Sequence, residues 1–496
     1  MKKFLTFILF AVLVVFTACE LKDPTQPEIT TITKDQLALN KVVFIGNSLT
    51  AGFQSGGLAE DFQVNSFPAL IARQMGKSEH FEQPLIGNPG ISSTPGVGVL
   101  DFNSATGAIA PRGTYTNPLA LLKNATLARP YDNLGIPGAN LNQGLNATGA
   151  ASAGNNPFFD LILRNPNFAN MTQVEQAKIL NPTLVVAWLG NNDVLGAALA
   201  GGDLTRITPI ANFQADYTKL IQELGKIRDG NVGIVLLNIP NVTDIPYVNI
   251  LDGAIYKEPV PGIGLSPVPV VFDATSQPVD FDPGAGELYL PLITAETGST
   301  IKHVLLPFIG EYRANGLGIP DSAAIANLLI SLGTPQAVAA AQAQATVQGM
   351  IAQGLTPSGI PIPDSLTITA AEETALLQAV GGFNQIISGI AAAAGIPVVD
   401  ANAKLTELNQ SGIDGFSGRF VFLDPANTAF SLDGVHPNSA GYAIIANEII
   451  KKLNSLSADI SIPLVNADDF RGQYTGAQMS NFSVEAANQA KAIFVQ

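Results

Sequence analysis

Four short apolar runs constrain this chain more than any other feature. They are Lys41-Val-Val-Phe-Ile45, Thr183-Leu-Val-Val-Ala-Trp-Leu189, Val232-Gly-Ile-Val-Leu-Leu237 and Ile396-Pro-Val-Val-Asp400. A continuous apolar run, unlike an alternating one, marks a strand buried on both faces, as in a parallel sheet. Helical patterns separate the runs: Phe213, Tyr217, Leu220, Ile221, Leu224 and Ile227 recur on one helix face, as do Tyr442, Ile445, Ile449 and Leu453 near the end. Strands alternating with helices predict an α/β protein whose parallel sheet is covered on both sides.

Composition supports a folded, acidic protein. Of the 496 residues, 47% are hydrophobic and 13% charged, which excludes disorder over most of the length. The formal net charge of −15 argues against a nucleic-acid partner, since phosphates need a basic surface. His80, His303 and His436 are scattered and Cys19 is the single cysteine, so no metal-ligand spacing and no internal disulfide is expected.

The first residues look like an address. Lys2 and Lys3 precede an apolar run from Phe4 to Phe16, and Thr17-Ala18-Cys19 follows. This resembles a bacterial lipoprotein signal, which implies cleavage after residue 18, lipidation of Cys19 and a membrane partner held through that anchor. Residues 19–38 are polar with Pro24 and Pro27, as a solvated tether would be. The unit carrying the chemistry is expected over 39–244 and 370–455. A Pro-, Gly- and Ala-rich insertion over 245–369 is expected to be mostly helical, with one helix around Ala337–Ala352. It leaves the scaffold after the run ending at Leu237, so it is expected to roof or wall the site and to supply an apolar pocket. A second excursion spans roughly Gly87–Arg129, and 456–496 is a C-terminal extension.

Four stretches carry candidate chemistry. Ser48, in Gly46-Asn47-Ser48-Leu49, follows the first strand at the carboxyl edge of the sheet, although a helix-capping serine reads the same way. Gly138, in Gly135-Ile-Pro137-Gly138, can bring a backbone N–H close to a ligand, as can any turn glycine. Asn192, in Gly190-Asn191-Asn192-Asp193, offers an uncharged N–H donor or an Asx turn. In Asp433-Gly434-Val435-His436, a turn of this spacing can set the Asp433 carboxylate against one imidazole nitrogen and free the other.

The four blocks together, in this order from about Lys41 to Leu453, resemble the SGNH/GDSL hydrolases. The resemblance implies a three-layer α/β/α sandwich with a flavodoxin-like parallel sheet and cleavage of carboxylic (acyl) esters, lipase or esterase in type. It implies Ser48 as nucleophile, His436 as base and then acid, and Asp433 as its orienting carboxylate. The oxyanion hole would be the N–H groups of Ser48 and Gly138 with the Asn192 side chain. No metal or organic cofactor is implied, and the partner is an acyl-ester substrate, lipid or acylated glycan. The family's usual Asp before the serine is Asn47 here. The alternatives are a carbohydrate O-acetyl esterase and a non-catalytic lipoprotein binding glycan or lipid. The single tryptophan, Trp188, on an expected core strand favours an acyl pocket over a glycan groove.

Overall fold

A computed structural model describes residues 38–103, 108–165, 167–252, 265–272, 278–280, 288–296, 301–352, 354–421, 424–472 and 481–482. The expected signal segment 1–18, the lipidation residue Cys19 and the tether up to residue 37 lie outside the described residues. The chain is a mixed α/β protein built on one four-stranded parallel sheet. Its strands, in spatial order, are β1 (Val42–Gly46), β2 (Leu184–Trp188), β3 (Gly233–Leu237) and β4 (Val398–Val399). Every residue of β1 and β2 is buried, so both faces of these strands are covered.

An extended segment that the apolar pattern did not mark runs parallel along the free side of β1. The Phe44 N–H donates to Asp132 O at 2.8 Å, and the N–H groups of Leu134 and Ile136 donate to Phe44 O and Gly46 O at 2.9 and 3.0 Å. This register carries the chain to Gly138 beside the end of β1.

The helices that position the site are α1 (Phe67–Gln74), α2 (Gln173–Ile179), α3 (Asn192–Leu199), α4 (Ile210–Leu224), α5 (Ala370–Ala394), α6 (Ala401–Gln410) and α7 (Ser439–Leu456). Phe67 on α1 meets both Phe44 and Trp188 with ring centroids 5.9 Å apart. Phe213 on α4 stacks on Phe383 of α5 at 4.0 Å. Full burial of such a ring stabilises the fold by about 1.5–3 kcal/mol. α5 starts where it does because Thr369 and Glu372 form a reciprocal capping box, and it stops at Gly395, whose φ is 65°. Residues 457–472 fold back along α7, where Asn447 exchanges two hydrogen bonds with the backbone of Val465 at 2.7 and 2.9 Å.

Beside its helices, the insertion carries two small sheets that the sequence reading did not anticipate. Helices Pro307–Asn315, Ser322–Ser331 and Gln336–Ala352 share it with two small sheets: strands Leu265–Phe272, Pro278–Asp280 and Leu288–Ile293, and the pair Ile301–Val304 with Thr367–Thr369. Valine-rich stretches such as Leu265-Ser-Pro-Val-Pro-Val-Val-Phe272 favour strand, and their prolines disguise that preference in a composition-based reading. The insertion is clasped to the scaffold by His303, whose Nδ1 lies 2.9 Å from Asp252 and whose Nε2 lies 3.1 Å from Glu373 in the first turn of α5.

Candidate active site

β1 ends at Gly46 and the chain turns at once into the four-residue helix Ser48–Ala51. A Cβ on Gly46 would stand 2.0 Å from Thr50 Oγ1 and 2.7 Å from Trp188 O, so only glycine lets the turn fold back this tightly. Asn47 caps the turn by accepting the Leu49 N–H at 3.2 Å. The capping reading of this stretch therefore falls on Asn47, and Ser48 is left with its hydroxyl aimed elsewhere.

That hydroxyl faces His436: Ser48 Oγ lies 2.9 Å from Nε2, and Asp433 Oδ2 lies 3.0 Å from Nδ1. A carboxylate only accepts, so Nδ1 carries the ring proton and Nε2 presents its lone pair to the serine. The three residues are 1–2% exposed. The local turn explains the spacing. Gly434 takes a φ of 70°, and the bend lets Asp433 Oδ1 accept the N–H groups of Val435 and His436, both at 2.8 Å. The Ser431 hydroxyl adds a bond to Oδ1 at 3.1 Å, and the Gly56 N–H adds one to Oδ2 at 2.8 Å. Burial pushes the Asp433 carboxyl up, but the adjacent His436 and these backbone donors outweigh it and hold the group below the usual carboxylate range.

Asn192 opens α3, directly beyond β2, and its Nδ2 donates to Ala139 O at 2.8 Å. The next residue, Asp193, accepts the Leu141 N–H and the Thr208 hydroxyl at 2.8 and 2.7 Å. Both side chains thus hold the segment that carries Gly138. The N–H groups of Ser48 and Gly138 donate to no protein acceptor among the described residues. Ser48, Gly138, Asn192, Asp433 and His436 are therefore gathered at one edge of the sheet.

A cavity of about 130 Å³ opens on Ser48 and His436. It far exceeds the ~10–15 Å³ that one water needs. Its walls arise just beyond the carboxyl ends of all four strands: Leu49 after β1, Asn191 and Leu195 after β2, Ile239 to Val242 and Ile245 after β3, and Ala401, Leu405 and Leu408 on α6 after β4. The opposite wall is α7, from Gly441 through Ile444 and Ile445 to Glu448. At 1.5 Å per residue that wall is about 10 Å long. The expectation that the 245–369 insertion supplies the apolar pocket is corrected, because among the described residues only Ile245 of it lines this cavity. The excursion instead packs behind the Asp433–His436 turn: the Tyr247 N–H donates to Gly434 O and the Leu306 N–H to Tyr247 O, both at 2.8 Å.

Sequence reasoning missed the role of α6. Its Ala401, Lys404, Leu405 and Leu408 follow i, i+3, i+4, i+7 spacing, a signal open to the same periodicity test that found α4. It also missed Gly56 and Ser431, which no local pattern marks, and it gave Asn191 no role although it marked the Gly190–Asp193 block.

No family model matches the chain, and no curated protein or solved structure matches it. A hydroxyl paired to an oriented imidazole can give its proton to Nε2 while attacking an electrophilic carbon, and unused N–H groups beside it can receive the charge that develops.

Proposed function

We propose that this chain is a serine hydrolase of the SGNH/GDSL type that cleaves carboxylic esters of acyl chains. The observation that carries the reading is the Ser48–His436–Asp433 chain of contacts, at 2.9 and 3.0 Å, opening on an apolar cavity at the carboxyl edge of a parallel sheet. The order of the sheet supports it. Counting the extended segment at Asp132–Ile136, the strands run 2-1-3-4-5, the flavodoxin-like order that belongs to a three-layer α/β/α sandwich.

In the proposed reaction Ser48 Oγ attacks the ester carbonyl while its proton passes to His436 Nε2. The carbonyl oxygen becomes an oxyanion facing the N–H groups of Ser48 and Gly138 and the second Nδ2 hydrogen of Asn192. The C–O bond to the alcohol breaks as His436 returns the proton to that oxygen, leaving an acyl-serine. Water then repeats the sequence, and the carboxylic acid departs. Asp433 stays ionised throughout and stabilises the imidazolium. The aliphatic cavity favours an acyl chain over an acetyl group on polysaccharide. We further propose that Cys19 anchors the protein to a bacterial membrane, which a Cys19→Ser variant would lose.

A fluorophosphonate probe tests the core of the reading. It should label Ser48, and Ser48→Ala should abolish labelling and turnover of p-nitrophenyl octanoate together. Labelling at another serine, with Ser48→Ala still active, overturns the assignment.

A further inference from the structure

Three carboxamides stand in the cavity wall with hydrogen-bonding capacity that the protein does not use. Asn191 is 5% exposed, and neither its Nδ2 nor its Oδ1 has a partner. Asn47 is 1% exposed; its Oδ1 caps the Leu49 N–H, and its Nδ2 has no partner. Asn192 spends Nδ2 on Ala139 O and leaves Oδ1 without one. All three line the cavity with Ser48, Asn47 as its chain neighbour and the other two at the turn into α3, while most of the remaining wall is aliphatic.

Buried polar groups in native proteins are paired, so a cluster of unpaired ones beside a binding space points to what fills it. Apart from the Lys404–Glu448 ion pair, the walls on α6 and α7 ask for an apolar occupant, and near Ser48 it must both donate and accept. A plain alkyl chain satisfies neither Asn191 atom. A carboxylate or phosphate only accepts and would set negative charge against Asn191 Oδ1 and Asn192 Oδ1. An ammonium only donates. A hydroxyl does both through one oxygen: its O–H donates to Asn191 Oδ1, and its lone pairs accept from Nδ2 of Asn191 or Asn47.

We propose that the acyl chain of the substrate carries a hydroxyl on its second or third carbon, and that Asn191 is the residue that selects it. The inference rests on the esterase reading above and names the substrate class of that site. A site built to hydrogen-bond a substrate hydroxyl rejects the analogue that lacks it, because the analogue leaves the buried amide unpaired.

The test compares p-nitrophenyl octanoate with its 2-hydroxy and 3-hydroxy counterparts, each as separate enantiomers and corrected for spontaneous hydrolysis. In the unaltered protein at least one hydroxylated ester should exceed octanoate in kcat/KM by tenfold or more, with a clear preference between enantiomers. In Asn191→Leu, and in Asn191→Ala as a second variant, the hydroxylated-to-plain ratio should fall towards the ratio of spontaneous rates. Each ratio is taken within one variant, so loss of folded protein cancels. Octanoate turnover with no hydroxyl preference in the unaltered protein overturns this inference alone, as does a preference that survives both substitutions. Absence of any ester turnover and of probe labelling at Ser48 overturns the esterase reading instead.

Discussion

The backbone N–H of Gly56 donates to Asp433 Oδ2, the oxygen that also faces His436 Nδ1. One carboxylate therefore joins the loop that follows Ser48 to the turn that carries His436. Ser431 reinforces the link, because its hydroxyl oxygen accepts the Ser55 N–H at 2.9 Å and its proton goes to Asp433 Oδ1. The serine and the imidazole owe their alignment to this shared acceptor as much as to the strand beneath them.

Replacing that acceptor should be costly. Asp433→Asn sets an amide N–H against a field of donors and removes the charge that stabilises imidazolium, so kcat should fall by about 10⁴. Circular dichroism at neutral pH should still show the fold. A kcat within tenfold of the unaltered protein would remove Asp433 from the mechanism. Its pH signature follows from a folded-state value below the unfolded one: the stability it adds is present above the ordinary carboxylate range and is lost as pH falls below about 4.

Asp193 should behave in the opposite sense. Burial raises its carboxyl to about 6, against the Leu141 N–H and the Thr208 hydroxyl that pull it down. Between the ordinary carboxylate value and 6 the folded protein keeps this proton while the unfolded chain has lost it. Stability therefore declines as pH rises through that window, by about 3 kcal/mol for a two-unit shift. Relative to Asp193→Asn, the melting temperature of the unaltered protein should drop from pH 4 to pH 6 and run parallel above it. Parallel curves over the whole range would show that the carboxyl is not raised.

For Asn192, truncation removes one donor from the place where the proposed reaction would form its oxyanion. Asn192→Ala should lower kcat by ~10²–10³ with little change in KM, since that bond strengthens mainly in the transition state. A proportional rise in KM at constant kcat would instead assign Asn192 to holding Ala139.

Acyl-length preference should follow the cavity walls. Leu405→Trp fills space that a chain would occupy, at up to ~0.8 kcal/mol per displaced methylene. It should lower kcat/KM for octanoate and longer esters far more than for acetate. Replacing 322–352 with a short linker should leave the chain-length profile unchanged, since none of those residues lines the cavity. A profile flattened by the linker and untouched by Leu405→Trp would move the pocket into the insertion.

The scaffold was legible because its signals are local. The runs ending at Ile45, Leu189 and Leu237 became β1, β2 and β3, and Phe213, Tyr217, Leu220 and Leu224 form the buried face of α4. The run at Ile396–Asp400 shrank to the two residues of β4, an edge strand with little to bury. The segment at Asp132–Ile136 went unseen because Asp132, Asn133 and Gly135 break its apolar pattern, and its place is set by non-local hydrogen bonds to β1, Glu82, Thr50 and Gln173. Ser48, Gly138, Asn192, Asp433 and His436 could be named because each sits in a recognisable short block. Gly56 and Ser431 could not, since what distinguishes them is a partner hundreds of residues away, and Asn191, though inside the Gly190–Asp193 block, is distinguished only by its lack of one. Ile445, counted from its spacing as a core residue, is only partly buried because it lines the cavity.

Ser48 and His436 meet across 388 positions of chain. Closing so long a loop costs entropy before any contact rewards it. The first three strands can pair early, yet the hydroxyl has no base beside it until the last helix docks and Tyr442 reaches back to Phe53 O at 2.5 Å. A chain halted before residue 436 keeps Ser48 but lacks the imidazole that faces it. On the proposed function, hydrolytic activity would appear only once the Asp433–His436 turn has docked beside Ser48, so it would report a completed molecule.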